Sequence, residues 1–114
     1  MSPNQLAEGE VRRFFEEGYL VVRDVFDTDE VADMLDAVER LEETARSLER
    51  TRMYRGGQFV IDPADDPADV RIHRVVWCGG PEAVLSRYGR DPRLVGIACS
   101  LLKTDVVEQL INQA

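Results

Sequence analysis

The sequence changes from a helical pattern to a strand pattern within residues 14–26, which read FFEEGYLVVRDVF. Apolar residues in and before this stretch recur at three- and four-residue intervals, as they do on one face of a helix. Gly18 stands where a left-handed helix cap is favoured, so we expect a first helix from the capping signal at Ser2–Gln5 to about Glu17. Tyr19–Val22 is then too short for a helix, and its continuous apolarity predicts a strand buried on both faces.

A second, longer helix is predicted from Asp27 to about Glu49. Asp27 is a suitable N-cap, and Glu30 stands three residues later, where a capping box needs it. The apolar positions that follow at helical spacing are Val31, Met34, Leu35, Val38, Leu41, Ala45 and Leu48. Because this stripe drifts from a strict heptad, packing against a sheet is favoured over a coiled coil.

A hairpin and a further strand are predicted next. Gly56-Gly57 indicates a turn, Gln58–Ile61 a short strand, and residues 62–69 a polar loop. Val70–Trp77 reads as a strand. Strict alternation puts Arg71, His73, Val75 and Trp77 on one face of it and Ile72, Arg74 and Val76 on the other.

Two short helices and a final strand complete the predicted order. The first helix opens at Pro81 and ends at Gly89, and Asp91-Pro92 opens the second. The apolar face of the second helix comprises Leu94, Val95, Ala98, Leu101 and Leu102. Val106–Gln113 reads as a strand that continues almost to the last residue. Because a strand needs neighbours for its backbone hydrogen bonds, one interpretation is that the chain is a truncated domain.

Composition limits the class of protein. A chain of 114 residues is one domain or a fragment of a larger one, and no apolar run is long enough for a membrane span. The net charge of -8 disfavours nucleic acid and anionic membranes as partners. Without a secretory signal we expect a soluble, cytoplasmic chain in which Cys78 and Cys99 are free core thiols.

The order of these features resembles the opening of phytanoyl-CoA dioxygenase-like proteins. Residues 14–26, followed by a capped amphipathic helix, look like that family's helix, Gly-Tyr strand and long helix. Asp91-Pro92-Arg93-Leu94 with its helix, and then Asp105-Val106-Val107, is similar to the segment that leads the family into its barrel. The resemblance implies an α+β fold made of the N-terminal helices and strands of a double-stranded β-helix (jelly-roll, cupin-like) oxygenase, with an incomplete barrel.

The resemblance also implies cofactors, Fe(II) and 2-oxoglutarate. The family's iron is held by a His-x-Asp pair and a distal histidine, and its reaction couples decarboxylation of 2-oxoglutarate to hydroxylation of a small-molecule substrate. A site with two histidines and one carboxylate needs two histidines, and this chain has only His73. We therefore expect no metal ligand, no catalytic residue and no cofactor binding by this chain alone. Gln109 and Gln113 are predicted to line the 2-oxoglutarate cavity, or else to lie on a solvated strand face.

Other candidate sites have simpler interpretations. Asp62, Asp65, Asp66 and Asp69 offer oxygen ligands, but two prolines interrupt them and the glycine of a calcium loop is missing, so a solvated loop is favoured. Gly79-Gly80-Pro81 is expected to be a plain turn, and Cys78 has no positioned base to make it a nucleophile.

Two functions remain open at this point. The first is the supporting part of an Fe(II)/2-oxoglutarate-dependent dioxygenase. The second is a small, acidic, non-enzymatic α+β module whose long helix docks a partner or a second copy. A barrel fragment with an unpaired strand edge should self-associate, whereas a complete module should unfold cooperatively.

Overall fold

The computed structural model describes residues 4–114. Its elements are helix α1 (Glu8–Glu17), helix α2 (Thr28–Leu48), strands β1 (Arg52–Tyr54) and β2 (Gly57–Asp62), a 3-10 turn (Pro67–Asp69), strand β3 (Arg71–Val76), helix α3 (Ala83–Gly89) and helix α4 (Pro92–Leu102). These elements form two compact units. The first unit comprises residues 4–27 and Arg90–Gln109, and the second comprises Thr28–Gly89 and Leu110–Ala114.

Helix α1 begins later than its sequence predicts. Ser2 and Pro3, the expected cap and first-turn residue, lie outside the described residues. The described residues before Glu8 are not helical, because Leu6 is buried and its N–H donates to the Ser100 hydroxyl at 3.0 Å. The Glu10 carboxylate instead accepts from the Ala7 N–H at 3.1 Å, which satisfies a free amide at the helix start. At the other end the prediction is confirmed: Gly18 has φ 84° and its N–H donates to the Phe14 carbonyl at 2.8 Å.

The strand predicted at Tyr19–Val22 is wrong. These residues have no regular structure, and Tyr19 and Val21 are 62% and 66% exposed. A strand needs a neighbour to satisfy its backbone groups, and the described part of the first unit contains no other strand. Local apolarity was therefore insufficient to form a strand here.

Helix α4 is capped as its sequence predicts, but its buried face differs. The Asp91 carboxylate accepts from the Arg93 N–H at 2.8 Å, one residue into the helix. Cys99 is the buried residue of α4, whereas Leu102, expected on the apolar face, is 68% exposed. The N-terminal segment that packs here, with Leu6 bonded to Ser100, selects the face that Cys99 and Ser100 occupy.

The predicted span of helix α2 is confirmed, and so is the prediction that this helix packs on a sheet. Its buried residues are Ala37, Leu41 and Ala45, at intervals of four residues. Leu41 and Ala45 join the core formed by Phe59, Ile61, Val70, Val75 and Cys78. The N-terminal part of the predicted stripe is not buried, since Val31 and Leu35 are 43% and 58% exposed.

The sheet is open and antiparallel, in the order β1-β2-β3. Arg55 and Gly56 form the hairpin turn, with φ 49° and 84°, one residue earlier than the predicted glycine pair. Strand β2 matches its prediction within a residue at each end, whereas β1 was not predicted. The α+β class is confirmed, and the sheet does not close into a barrel.

Strand β3 departs from strict alternation at His73. Val60 pairs with Arg74 and Ile61 pairs with Ile72, so His73 is an extra residue that forms a β-bulge. As a result Ile72 and Val75 both pack on the core, although the sequence places them on opposite faces. The prediction that Ile72 and Val75 lie on opposite faces of β3 is therefore wrong.

The strand predicted at Val106–Gln113 is also wrong, apart from one isolated antiparallel bridge between Gln113 and Val76. Val106 and Leu110 are 76% and 82% exposed. Helix α3 ends at Gly89 as predicted but begins at Ala83, after a turn that contains Pro81. None of the helices within residues 4–114 combines the length and apolarity of a membrane span.

Candidate functional site

The single histidine lies on the bulge of β3, where its side chain is exposed. A small cavity of about 190 Å³ in the second unit is lined by His73 together with Glu42, Ile72 and Ala114, among others. This cavity offers one imidazole and one carboxylate, with apolar side chains around them. It provides two donor types of a metal site but not a complete set.

The residues of this chain do not fit an Fe(II) centre of the facial-triad type. That centre takes two histidines and one carboxylate, and the chain has one histidine. Within residues 4–114, no three His, Cys, Asp or Glu side chains are grouped closely enough to hold a metal ion. The aspartates of residues 62–69 are all exposed, and Asp66 is used to cap the 3-10 turn by accepting from the Ala68 N–H at 2.9 Å.

The two glutamines proposed for cofactor binding lie in segments without regular strand structure. Gln109 is exposed in the first unit, and Gln113 is exposed in the second, where it forms the bridge with Val76. Neither lines the cavity at His73. Their role toward 2-oxoglutarate stays a prediction.

At the exit of β3 the Asn112 side chain makes two hydrogen bonds to consecutive residues. The Asn112 side-chain oxygen accepts from the Gly79 N–H at 2.8 Å and from the Cys78 thiol at 3.1 Å. Burial raises the pKa of the Cys78 thiol, so it stays protonated at neutral pH and is a poor nucleophile. Cys78 and Cys99 are both free and buried, as expected, and Gly79-Gly80 is a turn. Nothing in the sequence pattern pointed to Asn112.

A larger open cleft of about 630 Å³ lies in the first unit, where residues of α1 face residues at the end of α4. Phe15 and Lys103 both line it, and the Lys103 ammonium lies 4.8 Å from the centre of the Phe15 ring. The Ser100 hydroxyl in its wall donates to the Gly96 carbonyl and accepts from the Leu6 N–H. The Ser100 hydroxyl is thus engaged both as a donor and as an acceptor, which indicates a structural role for this side chain.

The described residues combine α-helices with an open three-stranded antiparallel sheet, which is an α+β architecture. Residues 14–112 match the family model for phytanoyl-CoA dioxygenase (PhyH). The chain therefore belongs to the phytanoyl-CoA dioxygenase family, and the predicted resemblance is confirmed. Neither a curated protein nor a solved structure matches the chain.

Proposed function

We propose that this chain is the N-terminal supporting part of an Fe(II)/2-oxoglutarate-dependent dioxygenase of the phytanoyl-CoA dioxygenase family, and that it is inactive by itself. The observation that carries the proposal is the family match over residues 14–112 in a chain with a single histidine. Membership of the family makes the oxygenase reaction the expected chemistry of the complete enzyme. The iron site of that reaction needs two histidines, and this chain has one, so the chain is insufficient for the reaction by itself.

The role proposed for the chain is structural. Helix α2 buttresses the three-stranded sheet through Leu41 and Ala45, which pack against Phe59 and Val75. We propose that this open sheet is the part of a double-stranded β-helix that this chain supplies, with Gln109 and Gln113 near the 2-oxoglutarate cavity. The complete enzyme would be cytoplasmic and act on a small-molecule substrate.

A second candidate function is a non-enzymatic interaction module. The exposed apolar residues Val31, Leu35 and Val38 on α2 support it, because they recur at helical spacing on one side of an otherwise acidic helix. In this case the family match would reflect descent from an oxygenase rather than retained activity.

The two proposals are separated by an anaerobic titration of Fe(II) in the presence of 2-oxoglutarate. The weak visible charge-transfer band of metal-chelated 2-oxoglutarate reports an assembled site. We would measure it on this 114-residue chain and on the longest protein encoded in the same reading frame. We expect the band only in the longer protein.

A His73→Ala variant of both proteins provides the control. Since His73 is exposed on a bulge and lacks a second histidine, its removal should leave both titrations unchanged. A band in the 114-residue chain that disappears with His73→Ala would overturn the ligand count. If neither protein shows the band, and the 114-residue chain associates reversibly in a Val31- and Leu35-dependent manner, the interaction module is the better account.

A further inference from the structure

The outer edge of β3 is partly covered by residues 110–114, which we call the strap. The Val75 N–H donates to the Ala114 carbonyl at 2.8 Å, and the Ala114 N–H donates back to the Val75 carbonyl at 3.1 Å. Further along, the Cys78 N–H donates to the Asn112 carbonyl at 2.9 Å. The strap therefore occupies edge groups of the sheet that would otherwise be open to another strand.

Asn112 attaches the strap by its side chain as well as its backbone. Its side-chain oxygen accepts from the Gly79 N–H at 2.8 Å and from the Cys78 thiol at 3.1 Å. A Cβ at Gly79 would lie 2.9 Å from that oxygen, so glycine permits the close approach. One amide group thus links the strap to two consecutive residues at the exit of β3.

Apolar burial contributes little to this attachment. Leu110 and Ile111 are 82% and 55% exposed, and Gln113 and Ala114 are also exposed. The strap is therefore held by hydrogen bonds, whose net gain in water is similar in size to the cost of ordering the residues that make them. Segments with this balance open locally without unfolding of the whole protein.

We propose that residues 110–114 are a reversible closure of the β3 edge, pinned by the Asn112 side chain, and that its release exposes the Cys78 thiol. In the closed state Cys78 is 2% exposed. In the released state the N–H and carbonyl of Val75 and the N–H of Cys78 lose their partners in the strap and become accessible to water. The closure is made by protein hydrogen bonds alone, so it does not require a bound metal ion.

Thiol labelling of Cys78 tests the closure directly. In a Cys99→Ala background Cys78 is the only thiol, so its rate of reaction with an aromatic disulfide reagent reports release of the strap. We expect labelling that is insensitive to low concentrations of urea, as for local opening. Asn112→Leu, which removes the acceptor but retains bulk, should accelerate labelling about tenfold. Gln113→Ala, in the same strap but with an exposed side chain, should leave the rate unchanged.

A second measurement separates loss of the acceptor from general damage. Asn112→Asp keeps an oxygen acceptor, so hydrogen exchange at the Gly79 and Val75 amides should remain as slow as in the parent, whereas Asn112→Leu should accelerate it. Labelling that follows global unfolding in its urea dependence, or that is unaffected by Asn112→Leu, would overturn the proposal.

Discussion

Phe59 and Val75 pair directly across strands β2 and β3, and both residues are 0% exposed. They form the centre of the core on which α2 packs. We expect Phe59→Ala to reduce the free energy of unfolding by about 3–5 kcal/mol, because it removes a buried ring and leaves a cavity. Urea unfolding followed by circular dichroism measures the change.

Met53→Ala is the matched control for Phe59→Ala. Met53 lies in the same sheet but is 59% exposed, so its truncation should cost less than about 1 kcal/mol. Equal losses in the two variants would contradict the assignment of Phe59 to the core.

Two helical glycines should respond with opposite signs to substitution by alanine. A methyl group added at Gly9, in the first turn of α1, would meet no atom within 4 Å outside the neighbouring helix backbone, so Gly9→Ala should stabilise the protein by about 0.5 kcal/mol through helix propensity. A methyl group at Gly96 in α4 would overlap the backbone carbonyl of Asn4. Gly96→Ala should therefore destabilise by about 1–3 kcal/mol. Thermal unfolding of both variants checks the signs, and stabilisation by Gly96→Ala would show that the Asn4 segment does not pack there.

Deletion of His73 should preserve the sheet. Without this bulge residue, the observed pairs Val60–Arg74 and Ile61–Ile72 form a regular ladder with Ile72 facing the core. We expect a cooperative unfolding transition within about 1 kcal/mol of the parent.

Deletion of Val75 is the contrasting variant. It would bring Arg74 opposite the buried Phe59 and place an unpaired charge in the core, so this variant should not fold. Urea unfolding and near-ultraviolet circular dichroism distinguish the two deletions. Loss of structure in the His73 deletion would indicate that the bulge itself is required.

Asp91 should make stability depend on acid pH. The hydrogen bonds from the Arg93 side chain and backbone lower the pKa of its carboxyl from 3.8 to about 2. Because the folded-state pKa is depressed, the stabilisation is complete above the ordinary pKa and is lost as the pH falls from about 4 towards 2. The stability advantage of the parent over Asp91→Asn should shrink by about 1 kcal/mol across that window, after allowance for solvent screening.

Asp91→Ala provides the comparison for the pH profile. Asparagine remains a good helix cap, whereas alanine does not, so Asp91→Ala should lose a further ~1 kcal/mol at all pH values. A parent and an Asp91→Asn variant that keep the same difference in stability from pH 5 to pH 2 would contradict the lowered pKa.

The reliable predictions from sequence concern features that neighbouring residues create. Gly18 ends α1 and Asp91-Pro92 begins α4, because a cap depends on backbone groups within one turn of the chain. The strands predicted at Tyr19–Val22 and Val106–Gln113 did not form, because a strand depends on a partner that can lie anywhere in the sequence. The candidate site also combines features that sequence reveals with features that it does not. The number of histidines can be read from the sequence, whereas the contacts of Asn112 cannot, because they join residues more than 30 positions apart.

The sequence by itself determined the α+β class, the span of α2, the two free thiols and the shortage of histidines for an iron site. These follow from residue types and short-range spacing, which do not depend on how distant segments meet. Only the tertiary structure decided that His73 forms a bulge, that Ala37, Leu41 and Ala45 are the buried residues of α2, and that Asn112 pins residues 110–114 to β3. Each of these depends on which distant backbone and side-chain groups come together, because packing and hydrogen-bond satisfaction are settled by the whole unit rather than by its local sequence.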